Sequence, residues 1–314
     1  MAVIYNSSKS IIYDNLVFHI DPPNKQHCIS EDDRTDPLTN GDVKDMTGHI
    51  DSISVNDSTD ASGNGYKPQW HTSGSKLGDS MGYIKYWSNG AGQFGSSYDY
   101  GFLDLGAPVT GVTKFGETDC YTVDFWWKQD TTGTTQVYQG MHLLGHRDVI
   151  TDWPSYNNRK YVYGSYNIDI YGSAGSNYNF QWRAGQQNYA TDNFKYYSAS
   201  SGYMYDFNTW YHHCCVFDLG DSLGGGSKIY TYRDGDSKNS ASATTSGSAS
   251  WFNNTTNGGN IYIGASNRQG DGSIIDDGRT NGADGGMGPF KIYNRALTAD
   301  EVLKNYQALK WRYK

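Results

Sequence analysis

The run from His212 to Cys215 places two histidines and two cysteines side by side, and all four side chains are of types that ligate zinc. The run lies within an alternating segment, residues 210–218, that is typical of a β-strand. Neighbouring side chains of a strand point to opposite faces, so one ion cannot collect all four ligands. We expect these residues to pack as ordinary strand side chains and not to hold a metal.

Four aspartates in one glycine-rich segment form the candidate metal site: Asp271, Asp276, Asp277 and Asp284. Hard cations such as Ca²⁺ prefer several oxygen ligands, which a loop with this many carboxylates can supply. The spacing matches no fixed calcium motif such as an EF-hand, and acidic glycine-rich loops are usually just solvated. The sequence therefore predicts no required cofactor, with Ca²⁺ as the candidate ion.

Catalysis on polysaccharides needs two carboxyl groups that face each other across the scissile bond. The glutamates of the chain are Glu31, Glu117 and Glu301, which are far apart in sequence, although a pair of aspartates could take their place. The chain also lacks Gly-x-Ser-x-Gly, His-Glu-x-x-His and a phosphate-binding glycine loop. We therefore expect a protein that is not an enzyme, and a glycan hydrolase is the second alternative.

Aromatic residues are concentrated in the long segments between the strand patterns. Exposed Tyr and Trp rings stack on sugar faces, and they also dominate protein interfaces. The candidate residues for binding a glycan or a protein partner are Tyr86, Trp87, Trp153, Tyr156, Trp182, Tyr189 and Tyr196. Other tyrosines of these segments are expected to be core or strand-pairing residues.

A strand joined directly to a helix is the clearest element of the sequence. Residues 290–293 alternate Phe and Ile with Lys and Tyr, as in a half-buried strand. Thr298 and Glu301 have the three-residue spacing of a capping box, which predicts a helix from Thr298 to about Leu309.

Composition favours many short strands. The chain has 314 residues, of which 36% are hydrophobic, and it contains 27 Tyr, 9 Trp and 38 Gly but only 7 Pro. Aromatic side chains suit a pleated, half-buried surface, and glycines suit the turns between strands. A chain of this length can form one large β-sandwich, so we expect one domain. Residues 235–260 are rich in Ser, Thr, Asn and Gly, which predicts a wide turn with little buried surface.

Several segments, taken together and in order, resemble laminin-G-like domains of the concanavalin A-like type. They are residues 15–21 (opening strand), 121–128 (central strand), 208–213, 228–235 (hairpin), 259–264 and 288–302 (last strand and helix). The resemblance implies an all-β, concanavalin A-like (laminin-G-like) jelly-roll β-sandwich with long loop inserts and a short C-terminal helix. Residues 15–314 would form this domain, and residues 1–14 an N-terminal arm.

Many domains of this kind are binding modules, and many belong to bacteriophage structural proteins. The ending at residues 306–313 is similar to that of phage-encoded laminin-G-like virion proteins. The resemblance implies a non-catalytic virion accessory protein, either a capsid decoration or a tail-associated protein. Its partners would be phage capsid or tail proteins, bound through the aromatic-rich loops, or further copies of itself. The alternative is a carbohydrate-binding lectin for host recognition, in which Ca²⁺ could assist.

Charge and hydropathy exclude two kinds of partner. The formal net charge is −8, and no basic stripe is present to neutralise nucleic-acid phosphates. No run of about 18 apolar residues could span a bilayer, and the N-terminus does not have the pattern of a signal peptide. We therefore expect synthesis in a host cytoplasm, and the resemblance to phage virion proteins implies localisation in the virion. The four cysteines are expected to be free thiols.

Overall fold

The structure is a computed structural model. It describes residues 10–24, 38–57, 67–72, 77, 81–86, 101–116, 118–130, 141–150, 160–173, 177–188, 193–204, 206–246, 260–264, 267–269, 281–282 and 285–314. The first strands in chain order are β1 (Leu16–Ile20), β2 (Ser54–Asp57), β3 (Gln69–His71), β4 (Tyr83–Tyr86), β5 (Gly101–Asp104), β6 (Cys120–Gln129), β7 (Met141–Ile150), β8 (Lys160–Ser173) and β9 (Asn177–Asn188). They are followed by β10 (Asn193–Ser200), β11 (Trp210–Asp218), β12 (Lys228–Arg233), β13 (Asp236–Ser242), β14 (Thr244–Ser246), β15 (Tyr262–Ile263), β16 (Asn267–Gln269), β17 (Asn281–Gly282) and β18 (Gly285–Tyr293), and then by helix α1 (Ala299–Tyr313).

The strands form two sheets. Sheet A has the order β13-β12-β11-β6-β18-β4-β3, and β1 pairs with the second half of β18 beside β4. Sheet B has the order β14-β10-β9-β8-β7-β15-β5-β2, and the short strands β16 and β17 pair with β7. Each sheet combines runs of consecutive strands, such as β7 to β10 in sheet B, with pairs that are distant in sequence, such as β6 and β18 in sheet A, as expected of a jelly-roll sandwich. The predicted fold class is confirmed.

The main core lies between the two sheets, and strand alternation explains which residues enter it. In β6, Val123, Phe125 and Trp127 face inward at 0% exposure. From sheet B, Phe180 meets Phe125 edge to face at a centroid distance of 5.5 Å. Every second residue of β6 thus belongs to the main core, because side chains alternate between the two faces of a strand.

Strand β18 differs from its predicted half-buried pattern, because all nine of its residues are buried. Phe290 and Ile292 face the main core, whereas Tyr293 belongs to a second cluster on the outside of sheet A. Helix α1 covers that outer face. A Cβ atom on Gly288 would lie 2.9 Å from the Tyr313 hydroxyl, so glycine allows the helix to approach.

Helix α1 begins at the predicted capping box. The Thr298 side chain accepts a hydrogen bond from the Glu301 backbone, and the Glu301 carboxylate accepts one from the Thr298 backbone. Arg295 donates two hydrogen bonds to the same carboxylate, at 2.9 and 2.7 Å. The helix continues to Tyr313, one turn beyond its expected end. Within the described ranges, no helix is long and apolar enough to cross a membrane.

The predicted hairpin at residues 228–235 is also present. Asp234 and Gly235 have φ values of 54° and 80°, as a two-residue type I′ turn requires, and they join β12 to β13. The wide turn predicted for residues 235–260 is wrong over its first part, which forms β13 and β14. The side chains of β13 are nonetheless mostly exposed, because this strand lies at the edge of sheet A.

Candidate functional site

Two of the predicted binding aromatics lie in the main core. Tyr86 and Trp182 are both 0% exposed. The Tyr86 ring packs 6.1 Å from the Trp127 ring, and the Trp182 ring lies 5.5 Å from the Phe125 ring. Both rings fill space between the sheets and cannot stack on a ligand, so the prediction for these two residues is wrong.

Tyr196 is the other predicted aromatic that the structure describes. It is half-buried on β10, opposite Gly185 of β9 and Thr244 of β14. Its role in binding stays a prediction. The remaining predicted residues lie outside the described residues, namely Trp87, Trp153, Tyr156, Tyr189 and the aspartates Asp271, Asp276, Asp277 and Asp284.

The His-Cys run is divided between the two faces of sheet A. Cys215 lies in the main core, where the His213 ring also packs, 4.3 Å from the Phe180 ring. His212 lies near Trp126 on the outer face, and Cys214 belongs to the outer cluster beneath α1. Among the described residues, no group of three or more His, Cys, Asp or Glu side chains could hold a metal ion.

A buried charge network joins β6, β11 and β18 to helix α1. Lys291 donates to one oxygen of the Asp124 carboxylate. His212 Nε2 lies 3.0 Å from the other oxygen, and the Asn305 amide donates to that same oxygen at 3.2 Å. All four side chains are 0% exposed. The carboxylate is thus fully enclosed between sheet A and α1.

The network also holds residue 12, which precedes β1. The Ile12 backbone N–H donates to the Asn305 side-chain oxygen at 2.8 Å, and the Tyr293 hydroxyl donates to the Ile12 carbonyl at 3.0 Å. Burial raises the pKa of Asp124, but Lys291 and His212 lower it more strongly, so the group is ionised at neutral pH. The network is sealed from solvent, and its contacts fasten the helix and the start of the chain to sheet A.

A group of solvent-accessible side chains lies on and beside the loop between β10 and β11. Tyr203 is 57% exposed, although its backbone is held firmly. Arg233 Nη1 donates to the Tyr203 carbonyl at 2.8 Å and to the Gly202 carbonyl at 3.3 Å. The next residue, Met204, exchanges two backbone hydrogen bonds with Tyr178 of β9 at 2.9 and 2.7 Å. The loop therefore presents an aromatic ring from a fixed position.

Three further residues lie on this loop or are linked to it through hydrogen bonds, and we call Tyr203, Asp206, Tyr211 and Arg233 the rim cluster. The Tyr211 hydroxyl donates to the Asp206 carboxylate at 3.1 Å. The Arg233 guanidinium lies 5.9 Å from the centre of the Tyr211 ring, and the Lys314 ammonium lies 4.3 Å from it. Burial and the neighbouring Asp206 raise the pKa of Tyr211 to about 12, so its hydroxyl stays protonated and remains a donor.

Several polar atoms of the rim cluster are available to bind a ligand. Among the described residues, none bonds to Asp206 Oδ1, to Arg233 Nε or Nη2, or to the Tyr203 hydroxyl. The cluster thus offers an exposed aromatic face, an acceptor and a donor beside a loop whose backbone is held by hydrogen bonds at Gly202, Tyr203 and Met204. A neutral ring that carries hydroxyl groups can stack on such a face while its hydroxyls bond to the carboxylate and the guanidinium.

Sequence reasoning did not select the residues of the rim cluster. The candidate aromatic residues end at Tyr196, and Tyr203 lies seven residues further on in the same aromatic-rich insert, just before the predicted strand at Trp210. Loops that precede a recognisable strand lie on the surface and often carry functional residues. The location of Tyr203 in such a loop is the sequence feature that could have identified it. Arg233 carries no signal in sequence, because only the sheet brings it beside the loop.

The chain belongs to the concanavalin A-like lectin/glucanases superfamily, whose laminin G type profile matches residues 106–303, more than half of its 314 residues. No curated protein sequence matches the chain.

Three solved structures illustrate the similarity at the level of coordinates. Domain 4 of AbnA, a GH43 extracellular arabinanase from Geobacillus stearothermophilus in complex with arabinotriose, is 13% identical, with 93% of this chain and 98% of that chain covered and a TM-score of 0.48. The botulinum neurotoxin serotype G binding domain is 14% identical, with coverages of 93% and 50% and a TM-score of 0.46. The binding domain of Paraclostridial Mosquitocidal Protein 1 is 13% identical, with coverages of 93% and 52% and a TM-score of 0.44. This chain thus spans about half the length of the two toxin domains.

Proposed function

We infer that this protein is a non-catalytic binding module that recognises a neutral glycan through the rim cluster. The observation that carries this proposal is Tyr203, a 57% exposed aromatic ring on a loop that Arg233 and the Met204–Tyr178 pairing hold in place. A ring that is fixed before binding loses little conformational entropy when a sugar stacks on it. The carboxylate of Asp206 and the guanidinium of Arg233 have opposite charges, which suits a neutral ligand rather than an acidic one.

A binding role without catalysis also agrees with the position of Asp124. This carboxylate is paired with Lys291, yet it is enclosed at 0% exposure beneath α1. A catalytic acid or nucleophile must reach the glycosidic oxygen or the anomeric carbon. Asp124 is shielded from any substrate, and its role is to hold the helix.

A glycan array followed by titration calorimetry tests the proposal. We expect binding of at least one neutral oligosaccharide and, in Tyr203→Ala, an affinity at least about tenfold lower, as for the loss of a central aromatic contact. Tyr13→Ala is the matched control, because Tyr13 is 68% exposed elsewhere and should leave affinity unchanged. Repeating the titration with chelator tests whether Ca²⁺ at the loop of Asp271 and Asp276 assists.

Two results would contradict this function. An array without any glycan signal would remove the ligand class, and equal affinity in wild type and Tyr203→Ala would remove the rim cluster. Release of reducing sugar ends from a bound glycan during incubation would show that the protein is an enzyme after all.

The setting that we propose for this module is a phage virion, on the sequence resemblance to phage-encoded laminin-G-like proteins. Immunogold electron microscopy of purified particles tests this. Label on the head would support a capsid decoration that binds capsid proteins, and label on the tail would support host adsorption through a cell-surface glycan. Absence of label from particles with an accessible epitope would contradict the virion setting while leaving the binding module intact.

A further inference from the structure

His213 lies directly behind the rim cluster. It is 0% exposed, and neither of its ring nitrogens has a hydrogen-bond partner among the described residues. Its ring packs against Phe180 at 4.3 Å and Phe125 at 5.5 Å, and the Tyr211 ring of the rim cluster lies 6.3 Å away. The imidazole therefore carries one donor and one acceptor into the part of the core nearest to the rim.

Tyr178 approaches the same place from sheet B. Its hydroxyl is buried without a hydrogen-bond partner among the described residues, although it lies near the backbone of Gln129. The Tyr178 ring packs 6.4 Å from the Phe180 ring, and the His213 ring packs against that same ring at 4.3 Å. Both buried polar side chains thus adjoin Phe180, and Tyr211 of the rim cluster adjoins His213.

Polarity at these two positions carries a cost. A buried polar group that lacks a partner costs about 1 to 3 kcal/mol, whereas Phe would fill nearly the same space without that cost. Native proteins seldom leave such groups buried, and functional sites are a common reason when they do. A hydroxyl group both donates and accepts, so one ligand hydroxyl can satisfy the imidazole and a second hydrogen bond can join it to Tyr178.

Access of a ligand to the buried side chains of His213 and Tyr178 depends on Tyr211. One hydrogen bond at the surface, from the Tyr211 hydroxyl to Asp206, ties its ring to the loop. A hydrogen bond to a charged group contributes about 1.5 to 3 kcal/mol, and hydrogen bonds from a ligand hydroxyl to Asp206 can replace it. Asp206 would then be free to accept from the ligand.

We propose that the rim site has a deep subsite, in which a hydroxymethyl group of a neutral sugar bonds to His213 and Tyr178 after Tyr211 moves away from Asp206. This subsite deepens the proposed function and rests on it.

Methyl pyranosides of glucose, galactose and mannose are suitable probes, each compared with its 6-deoxy counterpart by NMR titration. We expect wild type to prefer the hydroxymethyl sugar over its 6-deoxy form by roughly fivefold to thirtyfold, which is the value of one or two hydrogen bonds. Tyr178→Phe and His213→Phe should lose this preference, while binding of the 6-deoxy sugars stays the same. The thermal stability of both variants should equal that of wild type or exceed it. If the two residues were merely structural, loss of the preference would instead be accompanied by loss of stability.

A second measurement avoids any variant. In wild-type protein labelled with ¹⁵N at histidine, the ring nitrogens of His213 should shift on addition of the hydroxymethyl sugar and much less with the 6-deoxy sugar. The same preference in wild type, Tyr178→Phe and His213→Phe, or an unmoved imidazole signal, would overturn the deep subsite. If Tyr203→Ala still abolished binding, the proposed function would stand without it. Failure of the wild type to bind any of the six sugars, when the glycan array shows binding of another neutral glycan, would overturn the deep subsite alone, whereas an array without any glycan signal would overturn both.

Discussion

Neighbouring histidines on β11 should respond in opposite ways to the same substitution. His213 faces the main core with two unpartnered ring nitrogens, so His213→Phe removes a buried polar group and keeps an aromatic ring of similar size. We expect the free energy of unfolding to rise by about 1 kcal/mol, since removal of an unsatisfied group is partly offset by imperfect packing of the new ring. Urea denaturation monitored by tryptophan fluorescence measures the change.

His212→Phe is the matched comparison, one residue away on the outer face. Its Nε2 bonds to Asp124 at 3.0 Å in a fully buried position, and phenylalanine cannot replace that bond. We expect a loss of about 2 to 3 kcal/mol, because the carboxylate keeps its charge but loses a partner. A loss of similar size in both variants would show that shape, and not polarity, decides the stability at these positions.

Among the secondary-structure elements, the contact between sheet A and α1 depends on a buried ion pair. Lys291→Met leaves Asp124 ionised and without its cation, which should cost about 3 to 5 kcal/mol. The double variant Asp124→Leu with Lys291→Met removes both charges and should recover most of that loss. A double-mutant cycle by denaturation measures the coupling, and purely additive losses would contradict a direct pair.

The start of α1 should respond to acid separately from the rest of the chain. Hydrogen bonds from Arg295 lower the pKa of Glu301 to about 2, below its value of roughly 4.3 in the unfolded chain. Unfolding binds a proton in this window, so the contribution is complete above about pH 4.5 and is lost as the pH falls towards 2. The pair is partly exposed, with side-chain exposures of 22% and 26%, so solvent screening weakens it and we expect only about 1 kcal/mol. Glu301→Gln should remove this part of the pH dependence, and an unchanged curve would contradict it.

The secondary-structure elements that could be predicted from the sequence are those marked by residues close together in the chain. Thr298 and Glu301 define the start of α1 because they interact across only three residues, and Phe290 and Ile292 mark a buried face because a strand repeats every two residues. The burial of Lys291 was not predictable in this way. The helix that covers it is brought there by tertiary packing, and a lysine that alternates with apolar residues is normally on the solvent side.

The same distinction explains the outcome for the candidate site. Trp182 and Tyr203 are both aromatic residues close to strand patterns, yet one is in the core and the other is 57% exposed. Which side of a strand faces the partner sheet depends on register, and register is a property of the paired strands. Composition therefore predicted an aromatic binding surface but could not show which aromatic residues are exposed.

For the whole molecule, sheet A has two buried faces. Sheet B covers the inner face, while α1 and residues just before β1 cover the outer one, where Ile11 packs in the same cluster as Trp126 and Tyr313. Contacts between the two ends of the chain thus complete the outer core. The rim cluster lies at the edge of this arrangement, so its positions are defined by packing on both sheets, as a preformed binding site requires.

The burial of both faces of sheet A should make the stability of the whole molecule depend on pH in the acid range. Burial lowers the pKa of His19 to about 4 and that of His213 well below its usual value, so both are neutral in the folded protein at neutral pH. The unfolded chain binds protons at these histidines below about pH 6.5, so stability is complete above that pH and decreases as the pH falls towards 4.

The expected loss is about 3 kcal/mol from His19 alone, since a shift of roughly 2.5 pH units corresponds to that free energy. His213→Phe should make the decrease shallower by removing one of the two groups, whereas Glu301→Gln should change only the part of the curve below about pH 4.5. Denaturant midpoints measured at intervals from pH 7.5 to 4 provide the test. A stability curve that is flat over this range, or one with the same slope in His213→Phe as in wild type, would contradict the prediction. Either result would mean that these histidines are protonated in the folded protein and are not buried as described.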